Sequence, residues 1–128
     1  MKKILTIHLL ACILGSLSGQ TPEFDWVNQH EGVQSSNNQH GIVVGSTGNT
    51  TVGGAFIGSV DFDPGPGVLN LHNNNVLNPG FATNVYVQTL DSTGALLWVK
   101  QIGDSSTSLI FGSIDVDDAG NTYVAGTF

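Results

Sequence analysis

Two acidic clusters are the stretches of this chain whose residue types and spacing come closest to a chemical function. They are Asp61-x-Asp63-Pro64-Gly65 and Asp115-x-Asp117-Asp118-x-Gly120-Asn121. Alternate carboxylates on a glycine-containing turn supply the oxygen ligands that Ca²⁺ prefers. The sequence therefore predicts Asp61 and Asp63 as candidate calcium ligands. Neither cluster has a glutamate at the closing position of an EF-hand loop, so solvated turn aspartates are the alternative at both places.

The same two carboxyl groups could also serve as the acid and base of a glycosidase, which needs two carboxyls held about 5 to 10 Å apart across a sugar cleft. Residues two apart on a strand share a face, so the spacing permits this role, but such spacing is common. His30, His40 and His72 lie apart from one another without cysteine partners, which argues against a zinc site. No Gly-x-Ser-x-Gly nucleophile motif occurs. We therefore predict no catalytic residue and no cofactor other than calcium.

The elements that would position these residues are organised by an internal repeat. Residues 24–56 align without a gap on residues 96–128, at an offset of 72 positions, and 12 of the 33 aligned positions are identical. The shared patterns are Trp-Val-x-Gln at 26–29 and 98–101, Ile-x-Val at 42–44 and 114–116, and Gly-Asn-Thr-x-Val-x-Gly-x-Phe at 48–56 and 120–128. Such spaced identities indicate a repeat protein.

Apolar runs separated by glycine-containing turns predict β-hairpins. The turns are 46–49, 91–94 and 117–121, each with a glycine where a left-handed backbone is needed. Within strand 50–56 the repeated positions are 50, 52, 54 and 56, which share one face of a strand. We expect that face to meet the same neighbour in each repeat, with its glycine allowing a close approach by a neighbouring sheet or backbone.

Three further segments complete the interpretation along the chain. Residues 24–29 predict a short strand, and the polar residues 30–39 predict a loop. Residues 57–83 are rich in glycine, asparagine and proline, and they are long for a loop inside a compact domain. That segment is therefore either functional or carries its own hairpin.

Each repeat unit offers four strands, at 41–46, 49–56, 84–91 and 95–102. A four-stranded antiparallel sheet repeated along a chain is the blade of a β-propeller. The predicted fold class is therefore all-β, with antiparallel four-stranded blades of a β-propeller and about one and a half blades in this chain. The full unit covers about 41–102, and the next begins at about 112. Trp26 and Trp98 lie at the same place in each repeat, which favours core anchors between blades over sugar-stacking platforms.

The first nineteen residues have the layout of a secretory signal peptide. A basic head at 1–3 precedes a mostly apolar run that ends in small residues, and that run is too short to span a membrane. We predict cleavage between Ser18 and Gln20, and a partial β-propeller repeat region over 20–128. Cys12 could be read as a lipid-anchored cysteine, but the apolar run continues beyond it, which argues against an anchor. The predicted location is secreted or at the cell surface.

Charge and cysteine content exclude several classes of partner. The chain carries three Lys and Arg residues against ten Asp and Glu, and two of the three leave with the signal peptide. Lys100 then remains as the only basic side chain besides histidine, so nucleic acid and anionic membranes are poor partners. The sole cysteine also leaves, so packing and backbone pairing must stabilise the mature chain without a disulfide.

Three motifs resemble a known family. They are Val-Asp-Phe-Asp-Pro-Gly at 60–65, Leu-Asp-Ser-Thr-Gly-Ala-Leu-Leu-Trp-Val-Lys-Gln-Ile-Gly at 90–103, and Val-Asp-Asp-Ala-Gly-Asn-Thr-Tyr-Val-Ala-Gly-Thr-Phe at 116–128. They are similar to the SBBP-type β-propeller repeats of secreted bacterial proteins, common in Bacteroidetes, over nearly all of the mature chain. The resemblance implies a long, exported, multi-repeat protein, often with a carboxy-terminal sorting domain and mostly of unassigned function.

These observations favour an exported, non-enzymatic scaffold that is structural or binds protein or carbohydrate ligands. The alternative is the amino-terminal part of a propeller-containing secreted hydrolase or carbohydrate-binding enzyme with its active site in downstream sequence. One and a half blades cannot close a ring of four to eight. We therefore expect further repeats beyond Phe128, or else a truncated product that aggregates through its unpaired strand edges.

Overall fold

The computed structural model describes residues 23–73, 83–104 and 108–127, and this part of the chain is all-β. Its strands are β1 (Glu31–Val44), β2 (Thr50–Asp61), β3 (Asn70–Asn73), β4 (Asn84–Leu90), β5 (Leu96–Ile102), β6 (Ile110–Val116) and β7 (Thr122–Thr127). The predicted signal peptide with Cys12 lies outside the described residues. Across those three ranges, no helix has the length and apolar character needed to cross a membrane.

The first five strands form one antiparallel sheet in the order β1-β2-β4-β5, with β3 paired to the far end of β2. The register places Thr50 opposite Leu90, and Phe56 opposite Asn84. Strands β6 and β7 form a second, two-stranded antiparallel sheet. The four-stranded blade and the hairpin that begins the next one confirm the predicted fold class.

Three tight turns join the hairpin strands, and each turn contains a glycine. Gly48, Gly94 and Gly120 have φ angles of 83°, 84° and 83°. In each turn the glycine N–H donates to the backbone oxygen three residues earlier, at 2.9–3.0 Å. These positive φ values favour glycine, since other residues pay a steric cost there. The hairpins predicted from the turns are therefore confirmed.

A β-bulge recurs in both hairpins at the repeat offset. The pairing of β1 with β2 shifts between Gln39 and Gly41, and the pairing of β6 with β7 shifts 72 positions later, between Phe111 and Ser113. A Cβ added to Gly54 would collide with the backbone oxygen of Asn38. The corresponding Cβ on Gly126 would lie 2.5 Å from the backbone oxygen of Ile110. The repeated glycine therefore admits the bulged strand of its own hairpin rather than a neighbouring sheet.

Two local predictions were wrong. The segment 30–39 was predicted as a loop, but β1 already begins at Glu31, because β2 runs on to Asp61 and offers backbone partners along its whole length. Backbone pairing needs no apolar side chains, so the polar composition concealed this strand. The predicted strand at 24–29 has no strand assignment, and it lies over a face of the first sheet instead of along a strand edge.

The segment 57–83 carries its own hairpin, which was one of the two alternatives. Strand β2 continues past Phe56 to Asp61, and β3 returns antiparallel, with Gly58 opposite Asn73 and Asp61 opposite Asn70. Residues 74–82 lie outside the described part of the chain. The hairpin brings Phe62, which is fully buried, under the sheet.

Two apolar clusters cover opposite faces of the first sheet. One contains Val52, Phe56, Val60, Phe62 and Tyr86. The other contains Val85 with Leu109 and Phe111, flanked by Ile102, Ile114 and Val124. Strand β4 lies between the clusters and is buried along its whole length. The second cluster joins the two sheets.

Glycines of the first sheet receive side chains of the second. Gly41 and Gly53 pair opposite each other in β1 and β2. A Cβ on Gly41 would lie 2.9 Å from Ile114 Cγ2, and one on Gly53 would lie 2.6 Å from Phe111 Cζ. The face of the β6–β7 hairpin that points inward is thus the one with the repeated positions Ile114 and Val124. This face-to-face contact is the packing of adjacent blades.

Candidate functional site

The two residues predicted as calcium ligands lie at the β2–β3 connection, Asp61 as the last residue of β2 and Asp63 in the loop that follows. Asp61 Oδ1 accepts hydrogen bonds from the backbone N–H groups of Asp63 at 3.0 Å and of Leu69 at 2.8 Å. The N–H of Phe62 donates to the backbone oxygen of Leu69 at 3.0 Å. The Asp61 carboxylate therefore ties the two ends of the loop together.

Asp63 lies at the tip of the same loop. Its Oδ1 accepts the backbone N–H of Gly65 at 2.8 Å. A Cβ on Gly65 would lie 3.0 Å from that oxygen, and a Cβ on Gly67 would collide with Oδ2. The two glycines thus let the chain wrap closely around the Asp63 carboxylate. Asp61 and Asp63 thus lie side by side at the β2–β3 connection, where Asp61 accepts two backbone N–H groups and Asp63 accepts one.

Hydrogen bonding sets the charge state of Asp61. The N–H of Leu69, then that of Asp63, hold the pKa of its carboxyl below the ordinary value, since both bonds favour the ionised form. Within the described ranges, no group of three or more His, Cys, Asp or Glu side chains is placed to hold a metal ion. Calcium binding at Asp61 and Asp63 stays a prediction, which a calcium titration of the chain against Asp63→Asn would test.

Two other aspartates use the same chemistry at hairpin turns. Asp91 Oδ1 accepts the Thr93 hydroxyl at 2.7 Å and the N–H groups of Thr93 and Ala95 at 2.8 and 3.0 Å. The hydroxyl bond is the first cause of the lowered pKa of the Asp91 carboxyl. A carboxylate that accepts several local donors stabilises the turn that presents them.

Asp117, from the second predicted acidic cluster, is bonded through both oxygens. Oδ1 accepts the N–H groups of Ala119 at 3.0 Å and Asn121 at 2.8 Å. Oδ2 accepts the Asn121 side-chain amide and the Tyr123 hydroxyl, both at 2.9 Å. The Asn121 amide is the first cause of the lowered pKa of Asp117, and the Asp117 carboxylate in turn raises the pKa of Tyr123. Asp115 bonds elsewhere, to the N–H of Val116 at 2.9 Å.

A cleft of about 210 Å³ lies where the second hairpin meets the first sheet. Trp98 and Leu97 of β5 line one side, and the turn at Asp117 and Asp118 lines the other. Its floor includes Thr51 and Thr89, whose buried hydroxyls are hydrogen bonded at 2.9 Å. Trp98 thus stands between adjacent blades, the position predicted for a core anchor.

Trp26 is the residue 72 positions earlier in the repeat, and it lies outside the described strands. Its ring packs against the turn at Gly94, where an added Cβ would lie 2.8 Å from Cδ2 of the indole. The segment around it covers Val52, Gln88 and Leu90 of the first sheet. Both tryptophans therefore contact a neighbouring blade element or turn.

A buried polar node, which the sequence reasoning missed, holds residues 24–30 to the sheet. Gln88, 1% exposed, donates from Nε2 to the backbone oxygen of Phe62 at 2.7 Å. Its Oε1 then accepts from His30 Nε2, also at 2.7 Å. The His30 ring lies 4.7 Å from Phe62 and 5.7 Å from Tyr86, centroid to centroid. The detectable signal was Gln88 itself, a polar residue between apolar positions of a central strand.

Burial governs the titration of His30. Desolvation lowers the pKa of its imidazole from the ordinary value, against smaller raising contributions from Gln88 and Asp61. The other predicted loop histidines lie elsewhere: His40 stacks on Phe111 at 6.1 Å, and the backbone oxygen of His72 accepts from Gln101 Nε2 at 3.1 Å. The three histidines are not brought together.

Comparison with known proteins identifies one part of the chain. Residues 97–127 match the family model described as SBBP, beta-propeller repeat. No curated protein and no solved structure matches the chain. The matched segment contains most of β5 and all of β6 and β7, with the side chains of Phe111 and Ile114 that pack on the first sheet. The family match and the stacked antiparallel sheets together support an SBBP-type β-propeller repeat at residues 97–127.

Proposed function

We propose that the chain is an exported β-propeller repeat segment that acts as a structural or ligand-interaction scaffold. The observation that carries this proposal is the stacking of a repeated hairpin on the first sheet, through glycines that admit the side chains of the next blade. Gly41 and Gly53 leave room for Ile114 and Phe111, so the repeat is built to pack against another repeat.

The acidic residues support a structural role. Asp61, Asp91 and Asp117 each accept at least two backbone N–H groups of their own loop or turn. A general acid at neutral pH needs a raised pKa, whereas hydrogen bonds lower the pKa values of these three carboxyls. These three carboxylates are therefore ionised at neutral pH, where they stabilise their own loop or turn.

Asp61→Asn tests this role for the carboxylate that holds the two ends of the β2–β3 loop together. The amide side chain keeps one oxygen but loses the charge, so the loop should be less stable while the rest of the sheet is retained. The expected result is a lower Tm with an unchanged β-type circular dichroism spectrum. Ser92→Ala, at an exposed turn residue, is the control. An unchanged Tm, together with a glycosidase activity that Asp61→Asn abolishes, would favour the enzyme alternative.

A ligand would find both apolar and polar groups in the cleft beside Trp98. Trp98 is only half-buried, so the indole that anchors the contact between blades also lines this cleft. There it could stack on a sugar ring, while the carboxylates of Asp117 and Asp118 accept hydrogen bonds from the sugar hydroxyls. This observation favours carbohydrate among the ligand classes. Calorimetry with oligosaccharides tests it: binding that Trp98→Phe weakens supports a carbohydrate ligand, whereas absence of heat across a panel would leave the scaffold purely structural.

Export rests on the sequence of residues 1–19. Amino-terminal sequencing of protein recovered from the culture medium tests it, and the expected first residue is Gly19 or Gln20. A protein retained in the cytoplasm with Met1 intact would contradict the proposal.

A further inference from the structure

The cleft beside Trp98 contains a carboxylate that the fold itself does not use. Asp117 is held by four hydrogen bonds from donors of its own hairpin. Its neighbour Asp118 is exposed, lines the same cleft and makes no hydrogen bond or ion pair to the described residues. Asp118 is therefore the carboxylate that is free to turn toward a ligand in this cleft.

The charge of the cleft lies on one side. Asp117 and Asp118 belong to the turn of the second hairpin, and the first hairpin has Gly45 and Ser46 at the corresponding positions. None of the described residues that line the cleft is basic. A cleft lined by one sign of charge attracts ligand groups of the opposite sign. The cleft thus favours a ligand with a positive group directed at the second hairpin, and it disfavours an anionic ligand.

The floor of the cleft calls for a hydrogen-bond acceptor on the ligand. Thr51 is 3% exposed and Thr89 is 6% exposed, and their hydroxyl oxygens lie 2.9 Å apart. Each hydroxyl has one proton, and only one of the two protons can lie between the two oxygens. The other proton has no acceptor among the described residues. A sugar hydroxyl or ring oxygen supplies an acceptor, whereas the ammonium group of a lysine side chain only donates.

We propose that the cleft beside Trp98 binds amino sugars, the saccharides that carry a protonated amine on the ring. The Trp98 indole stacks on the ring and attracts its positive charge, and Asp118 accepts hydrogen bonds from the ammonium group. The floor hydroxyl donates to a sugar oxygen. At about 210 Å³ the cleft is several times larger than the roughly 30 Å³ that one water molecule occupies, so it has room for a sugar ring. This inference rests on the proposed carbohydrate site and names the class of sugar that the site takes.

The experiment is isothermal titration calorimetry of the chain with three oligosaccharides of equal length. They are an oligomer of glucosamine, its N-acetylated form and an oligomer of a uronic acid, each at about pH 6, where amino groups are protonated. The Kd of the glucosamine oligomer should be roughly three- to tenfold lower than that of the acetylated form, as expected for one exposed charge contact with an aromatic neighbour. The uronic acid oligomer should show no measurable binding. Raising the salt concentration should bring the first two Kd values together, because salt screens exposed charges.

Asp118→Asn tests the source of the preference. The amide keeps one oxygen but removes the charge, so the glucosamine oligomer and its acetylated form should bind this variant with nearly equal Kd values. Asp115→Asn is the matched control, because it removes the same charge from an exposed residue of the same hairpin that does not line the cleft. It should retain the wild-type preference. Both variants should keep the wild-type Tm, so that a change in Kd reports on the cleft.

The possible failures of this inference and of the carbohydrate site are distinguishable. Equal Kd values for the two oligomers in the wild type, or a preference that Asp118→Asn leaves unchanged, would overturn the amino-sugar inference alone. Absence of binding by every oligosaccharide would overturn the carbohydrate site together with the inference. A lysine-rich peptide that displaces the glucosamine oligomer and binds more tightly would show a peptide site and also overturn the inference.

Discussion

Gly53→Ala should destabilise the chain because the added methyl group enters the space of the Phe111 ring. The new Cβ would lie 2.6 Å from Phe111 Cζ, and Phe111 is 6% exposed, so its ring has little room to move. Overpacking of this kind costs about 1–3 kcal/mol. Removing a strand glycine returns about 0.5–1 kcal/mol by restricting the unfolded chain. The net loss in unfolding free energy should be about 1–2 kcal/mol.

Thermal unfolding followed by circular dichroism measures this effect. A loss of that size lowers the Tm by about 4–16 °C in a domain of this length. Gly45→Ala is the matched control, since its Cβ would lie 3.8 Å from Val116 Cγ1, an ordinary contact. That variant should stay within about 0.5 kcal/mol of the wild type.

A double-mutant cycle tests the cause. Phe111→Leu removes the ring atoms that collide with the new methyl group, so Gly53→Ala should cost less in the Phe111→Leu background. The destabilisation caused by Gly53→Ala should be smaller by at least about 1 kcal/mol in the Phe111→Leu background than in the wild type. If Gly53→Ala is as silent as Gly45→Ala, or if the two changes are additive, the second hairpin does not pack on Gly53 and the reasoning is refuted.

Three further changes probe the rest of the structure. Burial holds the pKa of His30 below 6.5, so the unfolded chain binds this proton more readily than the folded chain, and stability should fall as the pH drops below 6.5. The Tm difference between pH 7.5 and pH 5.5 should therefore be smaller in His30→Gln than in the wild type. An equal difference in the two proteins would contradict this. Gln88→Leu leaves His30 and the buried Phe62 oxygen without this amide, so urea unfolding should show a loss of about 1–3 kcal/mol, and a neutral result would disprove the node. The lowered pKa of Asp117 contributes stability that is present above its ordinary 3.8 and lost as pH falls below it, so Asp117→Asn should lower the Tm at pH 7 but leave it close to wild type at pH 2.

The sequence predicted the hairpins and the four-stranded blade because local signals specify both. Gly48, Gly94 and Gly120 mark turns that need a left-handed backbone, and alternating apolar residues mark the strands between them. The repeat then extended the prediction from one hairpin to the next. Each of these signals involves only a few neighbouring residues, so it can be recognised without the structure.

The rest depended on partners distant in the chain. The polar residues after His30 form a strand only because β2 continues to Asp61 and presents backbone groups for pairing. The role of Gly54 was predicted as close approach, but whether it faces its own bulged strand or another sheet follows from pairing register. The His30–Gln88 contact joins residues 58 positions apart and leaves no local pattern.

In the candidate site, too, the local features were predicted and the contacts between distant residues were not. Asp61 and Asp63 were predicted as alternate carboxylates at one glycine-containing turn, and that placement depends on local sequence alone. The hydrogen bonds from Leu69 to Asp61 required the return of β3, which no spacing in the sequence signals. The cleft at Trp98 likewise required the packing of the second hairpin on the first sheet.

The measurement that tests the central claim most directly is a proton nuclear Overhauser spectrum of the folded chain with assigned glycine and aromatic resonances. The account predicts strong cross-peaks from the Phe111 ring to the Gly53 Hα protons, and from the Ile114 methyl groups to those of Gly41, because these groups are in van der Waals contact. Cross-peaks within each hairpin but none between Phe111 and Gly53 would contradict the stacking of the two blades.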